Sequence, residues 1–363
     1  MKTALLHYWL TNLRGGEKVL AEFCRMFPDA DLYTHAWNRE RIGEPFASHR
    51  IIETAIGRLP GARNSCQKYL PLMPWALKGL DLSGYDLLLS SESGPVKGIR
   101  KPAGALHICY CHTPMRYLWD MYEEYYRAAG FAGKAAMRLF REPLRRYDRK
   151  SAEAVDCFIA NSRFVAERIR RIYGRESTVI HPPAEVSFFQ GGKYEKKGYF
   201  LFVGQLTDYK RPDLALEACR RMNRRLILVG EGPLRERLEA RADDRIVFAG
   251  RTEGEKLRRL YAEAEALLFP GVEDFGIVPV EAQAAGTPVL ALGQGGALET
   301  VTEKTGIFFP EPTVESLCGA LEEFETRRFD PAELKRHAEA FSTEHFRSRM
   351  KEFLERTVPG FSL

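Results

Sequence analysis

Two glutamates flank a short glycine turn in the C-terminal half of the chain, at Glu273 and Glu281. The pattern of residues 269–290 predicts a buried strand, an acidic loop, a helix ended by glycine, and a second strand. Glu273 is expected in the loop and Glu281 in the first turn of the helix. Carboxylates accept hydrogen bonds from hydroxyls, and amides at a helix N-terminus attract phosphate. This combination suits a sugar nucleotide, although acidic residues in a first helical turn also occur simply because they complement the helix dipole.

A cation lies in a second loop of the same half. Residues 203–213 predict the end of a strand, a turn and the start of a helix. Lys210 is expected at that turn, where a positive charge can neutralise a leaving diphosphate without a metal ion. A solvated pair of Lys210 with Arg211 is the structural alternative. Two further strand ends, 230–233 and 250–252, are expected to border a base and ribose, and the first is equally well explained as a simple turn.

The N-terminal half carries two comparable loops. Gly15 and Gly16 follow the first predicted strand, where adjacent glycines let a backbone approach a diphosphate closely or, alternatively, form a hinge or tight turn. His112 opens the run 112–120, which places His, Arg, Trp and Asp together after another predicted strand. Such side chains are poor core material, so His112 is predicted to be a site residue.

Composition excludes several other classes of protein. The 54 basic minus 49 acidic residues give +5, and no nucleic-acid-binding motif is present, so no nucleic-acid partner is expected. The seven cysteines are scattered, which predicts no disulfide framework. Cys109 and Cys111 suggest a zinc cluster with His107 and His112, but they alternate along a predicted strand and are expected to be buried thiols. No metal site and no cofactor are predicted.

One segment indicates a surface partner. Residues 134–150 hold seven basic and two acidic residues, with apolar side chains interspersed. Docking on anionic lipid through 131–150 is one interpretation, and a solvated helix with its aliphatic residues facing the core is the other. Pro143 is expected to break any single long helix there. No run of about 18 apolar residues predicts a transmembrane helix, so the expected location is the cytoplasm, peripheral to the inner face of the plasma membrane.

Short apolar runs alternate with helical periodicity throughout the chain, which predicts an α/β architecture with parallel sheets. Residues 187–198 carry glycines and charge without apolar periodicity and are the predicted linker. The chain is therefore divided into a first domain at 1–187, a second domain at 188–340 and a C-terminal helix at 341–363 that is expected to pack back on the first domain. Ligands of such sheets bind at the carboxyl ends of the strands, so the candidate loops are expected to line a cleft between two facing Rossmann-like domains.

The acidic run carries a recognisable pattern. Glu273 precedes, and Glu281 lies within, the run Phe-Gly-x-x-x-x-Glu-Ala-x-Ala-x-Gly-x-Pro-Val, which resembles the C-terminal signature of family 4 glycosyltransferases. The first half is similar to the same family through the Gly-Gly loop, His112-Thr-Pro and the Asn-Ser-Arg-Phe-Val run at 161–165. The runs at 112–119 and 205–213 look most like the O-antigen and exopolysaccharide mannosyltransferase branch. The resemblance covers most of the chain and implies the GT-B fold, with an N-terminal acceptor domain and a C-terminal nucleotide-sugar donor domain.

The resemblance also implies a role for each candidate residue. Glu281 would hydrogen-bond the nucleotide ribose, and Glu273 would contact hydroxyls of the transferred sugar. Lys210 would stabilise the leaving diphosphate, and His112 would lie near the sugar ring. The remaining donor-binding positions are Gly15 and Gly16, which would approach the diphosphate across the cleft, Gly204, Gln205, Arg211 and Arg251, and Phe275, Gly276 and Ile277, which would offer backbone amides.

Gln205 departs from the family pattern, which places an arginine directly after the glycine at 204. Glutamine donates hydrogen bonds but carries no charge, so Arg211 or Arg251 is the candidate for a second cation. The family also implies retention of anomeric configuration, and no carboxylate in these motifs is clearly poised as a nucleophile. The expected mechanism is front-face substitution, in which the leaving diphosphate helps to remove the acceptor proton.

These observations together predict a metal-independent retaining hexosyltransferase. The expected donor is GDP-mannose, and the expected acceptor is a lipid-linked glycan of surface-polysaccharide biosynthesis. A UDP-hexose-dependent enzyme is the alternative within the same class. A non-catalytic sugar-nucleotide-binding scaffold is the alternative outside it, and the presence of Lys210, Glu273 and Glu281 argues against that scaffold.

Overall fold

A computed structural model describes residues 1–192 and 194–361 of the chain. These residues form two compact units, one made of Met1–His181 and the chain from Arg347 onward, the other of Pro182–Phe346. Residue 193 of the predicted linker and residues 362 and 363 of the predicted C-terminal segment lie outside the described part.

The first unit is built on a parallel sheet. Its seven described strands run in the order β3-β2-β1-β4-β5-β6-β7, so the order reverses beside β1. The strands are β1 Thr3–His7, β2 Asp31–Thr34, β3 Ile51–Glu53, β4 Leu87–Glu92, β5 Leu106–Cys111, β6 Cys157–Ala160 and β7 Ser177–Val179. The helices are α1 Gly15–Met26, α2 Ala62–Ser65, α3 Met73–Ala76, α4 Tyr122–Ala128, α5 Phe131–Glu153 and α6 Arg163–Tyr173.

The second unit repeats this plan. Its six described strands are all parallel, in the order β10-β9-β8-β11-β12-β13, and the order reverses between β8 and β11. The strands are β8 Tyr199–Val203, β9 Arg225–Val229, β10 Ile246–Gly250, β11 Leu267–Phe269, β12 Val289–Leu292 and β13 Gly306–Phe309. The helices are α7 Val186–Phe189, α8 Pro212–Arg221, α9 Arg235–Glu239, α10 Gly254–Glu263, α11 Ile277–Ala284, α12 Ala297–Thr300, α13 Val314–Thr326, α14 Pro331–Glu339 and the first residues of α15 Thr343–Thr357.

The strands of the second unit are apolar on both faces, and this explains the doubly wound arrangement. In β12, Val289 and Ala291 pack in one buried cluster, whereas Leu290 and Leu292 pack in another on the opposite face. A strand that is buried on both faces needs helices above and below it, which parallel crossovers supply. The predicted α/β fold with two Rossmann-like domains is confirmed.

The boundary between the units falls earlier than predicted. Residues 182–187 belong to the second unit because Ala184 N donates to Phe341 O at 2.9 Å and Val186 is buried in the same unit. Helix α15 begins in the second unit and is counted with the first from Arg347 onward. There, Arg347 Nε lies 2.5 Å from Glu22 Oε2 on α1.

Helix α5 corrects one prediction. It runs unbroken from Phe131 to Glu153 with Pro143 inside it. Proline removes a single hydrogen bond of the helix ladder, and Pro143 is exposed, so water can satisfy the carbonyl that is left. The following turns are held by the fold, because Leu144 and Asp148 are buried. Of the described helices, none is long and apolar enough to cross a membrane.

Buried histidines predict a pH dependence of stability. Burial lowers the pKa of His107 to about 3 and that of His35 to about 4, whereas the pKa of histidine in an unfolded chain is about 6.5. The unfolded chain therefore binds more protons than the folded chain below about pH 6.5, and each histidine lowers the free energy of unfolding by about 1.4 kcal/mol per pH unit as pH falls. Urea denaturation of His107→Gln should show a shallower slope between about pH 6.5 and 4. An unchanged slope would contradict this account, and exposed His345→Gln is the matched control.

Candidate functional site

An ion pair stands where the strand order of the second sheet reverses. Lys210 ends the short turn after β8, and Glu273 lies in the loop after β11. Lys210 Nζ is 2.5 Å from Glu273 Oε1, and both side chains remain partly accessible, at 13% and 20% of full exposure. Crevices at such reversal points are the usual ligand sites of open parallel sheets. The structure therefore brings together the cation and the acidic loop that the sequence singled out.

Glycines allow these two loops to approach each other. A Cβ on Gly271 would lie 2.6 Å from Lys210 Cα and 2.7 Å from Tyr209 O. On the strand side, a Cβ on Gly204 would lie 3.1 Å from Lys210 Cδ. Any larger residue at 271 would push the backbone of the Lys210 turn away. The absence of a Cβ on Gly204 thus leaves room for the Lys210 side chain, in addition to any contact that Gly204 makes with a ligand.

The acidic loop is packed from its other side by the turn after β12. A Cβ on Gly296 would lie 2.3 Å from Phe275 Cα, and Gly296 N donates to Glu273 O at 2.8 Å. Gly276, with φ of 91°, then precedes α11, which begins at Ile277. Phe275, Gly276 and Ile277 therefore lie at the start of α11, as predicted, where backbone amides point along the helix dipole and attract anions.

Glu281 lies deeper than predicted. It is the fifth residue of α11, in the second turn rather than the first, because the helix begins only at Ile277. Its side chain is buried, and Glu281 Oε2 accepts a hydrogen bond from Tyr261 OH at 3.0 Å. Burial and the adjacent carboxylate raise the pKa of Tyr261 well above its usual value, so the phenol stays a donor. Tyr261 is a supporting residue that the sequence pattern did not reveal, since a tyrosine in an amphipathic helix resembles ordinary core.

Three of the predicted donor-binding side chains lie apart from the Lys210–Glu273 contact, and two of them have other partners. Arg211 adopts a left-handed backbone, with φ of 54°, and pairs with Asp213 at 3.0 Å while also donating to Pro312 O at 3.3 Å. Arg251 is exposed and pairs with Glu253 at 2.7 Å. Gln205 is exposed at the start of the turn. These side chains do not share the contact that joins Lys210 to Glu273.

In the first unit, a polar cluster forms at the carboxyl ends of β1, β4 and β5. His112 Nε2 lies 2.9 Å from Ser91 Oγ. A Cβ on Gly16 would lie 3.3 Å from His112 Nε2, so the glycine at the start of α1 leaves room for the imidazole. On the next residue, buried Glu17 lies 3.5 Å from His7 Nε2. The structure thus places Gly16 and His112 together, with Gly15 at the first position of α1.

His112 is held as a neutral imidazole. Burial, together with the neighbouring His7 and Arg116, lowers the pKa of His112 to about 3. At neutral pH the ring can exchange one hydrogen bond as donor and one as acceptor. Such a group suits contact with hydroxyls better than contact with phosphate. Among the described residues, no cluster of His, Cys, Asp and Glu suits a metal ion.

A buried ionic network supports the loop that follows His112. Lys97 Nζ lies 3.0 Å from Glu92 Oε1 and 2.5 Å from Asp148 Oδ1, and all three side chains are almost fully buried. Burial alone would lower the pKa of Lys97, but Asp148 and Glu92 raise it well above its usual value. Asp148 also accepts from Trp119 Nε1 at 2.7 Å and from Tyr173 OH. The network therefore ties the 112–120 loop to α5 and to the end of β4.

Sequence reasoning missed this network. Asp148 lies within the basic segment at 134–150, where it resembles one acid among solvated cations. The available signal was its spacing from Leu144, Ser151 and Ala152, which puts these four side chains on one buried stripe of α5.

Two protein-family models match consecutive parts of the chain. Residues 13–188 match the model described as "Glycosyltransferase Family 4". Residues 184–341 match the model described as "Glycosyl transferases group 1". The two matches together extend from residue 13 to residue 341, and they include the candidate loops and every described strand except β1.

Individual proteins are similar over parts of this region. An uncharacterised glycosyltransferase of Methanocaldococcus jannaschii is 34% identical over 138 residues, covering 35% of each chain. A D-inositol 3-phosphate glycosyltransferase of Mycobacteroides abscessus is 28% identical over 224 residues, covering 54% of this chain and 50% of that protein. The chain thus spans about a third to a half of the length of these curated relatives.

A solved structure shows the same fold over nearly the whole chain. The Anabaena protein HepE, in complex with UDP, has a TM-score of 0.73 at 17% sequence identity. The similarity covers 98% of this chain and 100% of that chain. At this level of identity the likeness concerns the fold.

The ionic network predicts a large effect of one substitution. Lys97→Met leaves two buried carboxylates without their cation, and this should lower the free energy of unfolding by about 3–5 kcal/mol. Lys101→Met is the matched control, because the Lys101–Asp156 pair is about a third exposed and should cost about 1 kcal/mol or less. Chemical denaturation measures both values. Equal losses in the two variants would contradict the role of the buried network.

Proposed function

The chain belongs to the family 4 glycosyltransferases of GT-B fold, and we propose that it moves a hexose from a nucleoside diphosphate sugar to a glycan acceptor. The observation that carries this proposal is the Lys210–Glu273 pair beside the start of α11. A sugar diphosphate offers hydroxyls and a polyanion side by side. The pair and the adjacent amides offer a carboxylate for hydroxyls, and a cation and N–H donors for the polyanion.

Each group has a defined task in the proposed reaction. When the bond between the sugar C1 and the diphosphate oxygen breaks, negative charge accumulates on the diphosphate, and Lys210 stabilises it. For this the ammonium group must exchange Glu273 for the diphosphate when the donor binds, before the bond breaks, and Glu273 then accepts hydrogen bonds from sugar hydroxyls. The amides of Phe275, Gly276 and Ile277 hold the sugar and diphosphate, while Glu281, oriented by Tyr261, binds the ribose. The cation is supplied by the protein, so the reaction is proposed to proceed without a metal ion.

Retention follows if attack and departure occur on the same face of the sugar. The acceptor oxygen forms its bond to C1 as the diphosphate leaves, and the acceptor proton passes to the departing diphosphate oxygen. Catalysis then depends on positioning and charge rather than on a protein nucleophile. In the first unit, neutral His112 is proposed to contact the sugar ring through hydrogen bonds.

GDP-mannose is the proposed donor, on the basis of the mannosyltransferase-like runs around His112 and Lys210. A UDP-hexose is the second candidate, because the similar Anabaena structure is a complex with UDP. A lipid-linked glycan of surface-polysaccharide synthesis is the proposed acceptor. The name of the Mycobacteroides relative supports a phosphorylated polyol instead, so both acceptor classes belong in the assay.

Removing the cation tests the mechanism. Lys210→Met keeps most of the side-chain volume but not the charge, and turnover should fall by about 100-fold or more, as when a preorganised charge-stabilising group is removed. The variant should remain folded, because the Glu273 side chain keeps 20% of its exposure and water can reach the carboxylate that is left unpaired. Lys256→Met, at an exposed position of α10, is the control with the same chemical change. Near-normal turnover of Lys210→Met in a folded protein would reject the proposed role.

Ligand-dependent stability tests the donor. GDP and GDP-mannose, added with a metal chelator, should raise the midpoint of thermal unfolding, because a ligand that binds only the folded state stabilises it. A shift produced only by UDP and UDP-hexoses would replace the donor and keep the site. A shift without transfer to any acceptor would favour the scaffold alternative. Glu281→Gln should reduce the shift for every nucleotide that carries a ribose, and an undiminished shift would remove Glu281 from the site.

A further inference from the structure

The first half of α5 presents apolar side chains to solvent. Phe131 is 92% exposed and Leu139 is 70% exposed, and Phe140 is also exposed. Phe131, Ala135 and Leu139 follow one another at intervals of four residues, so they form one stripe along the helix. Isolated exposed apolar residues are common on protein surfaces, but a continuous stripe usually marks an interaction site.

Cations border this stripe on the neighbouring face. Lys134, Arg138 and Arg141 are the charged residues between positions 131 and 141, so that stretch carries three positive charges and no acid. Lys134 Nζ and the Arg138 guanidinium lie 5.7 and 5.2 Å from the centre of the Tyr126 ring on α4. A groove of about 540 Å³ opens between the two helices. Its lining residues are Tyr126, Phe131, Lys134, Ala135, Arg138 and Leu139.

The second half of the same helix is fixed in the fold. Leu144 and Asp148 are buried, and Arg145 Nε donates to Leu118 O at 2.7 Å. Asp148 belongs to the ionic network with Lys97. The exposed first half of α5 therefore continues from a half that is packed in the fold, and its apolar stripe has a fixed place on the surface.

We propose that the α4–α5 tip, residues 126–141, is a docking surface for an anionic lipid bilayer. The apolar stripe enters the boundary between headgroups and acyl chains, while the bordering cations bind lipid phosphates. Solvent-exposed phenylalanine and leucine favour this occupant over nucleic acid, which would pair with the cations and leave the stripe in water. The surface is independent of the donor chemistry and rests on the proposed function only in bringing the enzyme to a lipid-linked acceptor.

Vesicle flotation with the full chain tests the proposal without donor or acceptor. The protein should float with vesicles of phosphatidylcholine and phosphatidylglycerol but not with phosphatidylcholine alone. Phe131→Ser/Leu139→Ser and Lys134→Glu/Arg138→Glu should each weaken binding by about tenfold or more, since apolar burial and each nearby cation contribute separately. Both variants should keep the parent unfolding temperature, because all four positions are outside the buried network, and the parent affinity for nucleotides, because the proposed donor residues Lys210 and Glu273 belong to the other unit.

Matched controls separate this surface from net charge. Lys68→Glu/Lys256→Glu changes the charge by the same amount at exposed positions outside α5, and it should float like the parent. Equal loss in this control would reduce the effect to overall charge and overturn the proposal. No flotation of the parent, or undiminished flotation of both α5 variants, would also overturn it. So would a concentration-dependent dimer in light scattering that Phe131→Ser/Leu139→Ser abolishes, because a second copy would then be the occupant.

Discussion

The close approach of loop backbones beyond the second sheet is the constraint on which the candidate site depends. Lys210 and Glu273 are 63 positions apart in sequence, and they meet because β8 and β11 are neighbours at the point where the strand order reverses. Parallel strands bring their carboxyl ends to one edge, but side chains would normally keep the following loops apart. Gly271 and Gly296 remove that obstacle where a Cβ would lie within 2.6 Å of a neighbouring backbone. The same glycines therefore determine both the loop packing and the 2.5 Å ion pair.

Charge has opposite uses in the two units. Lys97, Glu92 and Asp148 are buried away from water. Their ion pairs with one another, and the hydrogen bond that Asp148 accepts from Trp119, hold the 112–120 loop in place. Lys210 and Glu273 are closely paired but partly accessible. An accessible pair can exchange its partners for a ligand at low cost, whereas a buried network cannot be opened without leaving a charge in the core. The exposed fraction of the side chains thus distinguishes the Lys97 network, which supports the fold, from the Lys210–Glu273 pair, which is suited to binding.

Local sequence signals predicted the fold and the loops of the site, but not the contacts across it. Apolar periodicity acts within a few residues, and so does the glycine that ends the helix predicted in 269–290, so strands, helix starts and helix ends followed from these signals. Tertiary packing decided the rest. It kept α5 continuous through Pro143, moved Glu281 one turn into α11, and brought Asp148 to Lys97 across 51 positions. The residues around Asp148 indicate that it faces a buried stripe of α5, but they do not indicate which side chain it meets there.

Because Gln205 is uncharged, the positive charge near the proposed donor depends on which other arginine can reach it. Gln205 replaces an arginine that the family pattern places after Gly204, so a second cation must come from another element. The Arg211 side chain pairs with Asp213 and donates to Pro312 O, and its left-handed backbone sets the direction in which the side chain leaves the main chain. Arg251 is 75% exposed, and its partner Glu253 is 69% exposed, which makes their pair weak and easily exchanged. Turning Arg251 away would break an exposed pair with Glu253, whereas turning Arg211 away would break its contacts with both Asp213 and Pro312 O. In the proposed donor complex, Arg251 is therefore the arginine that gives up its present contacts more easily.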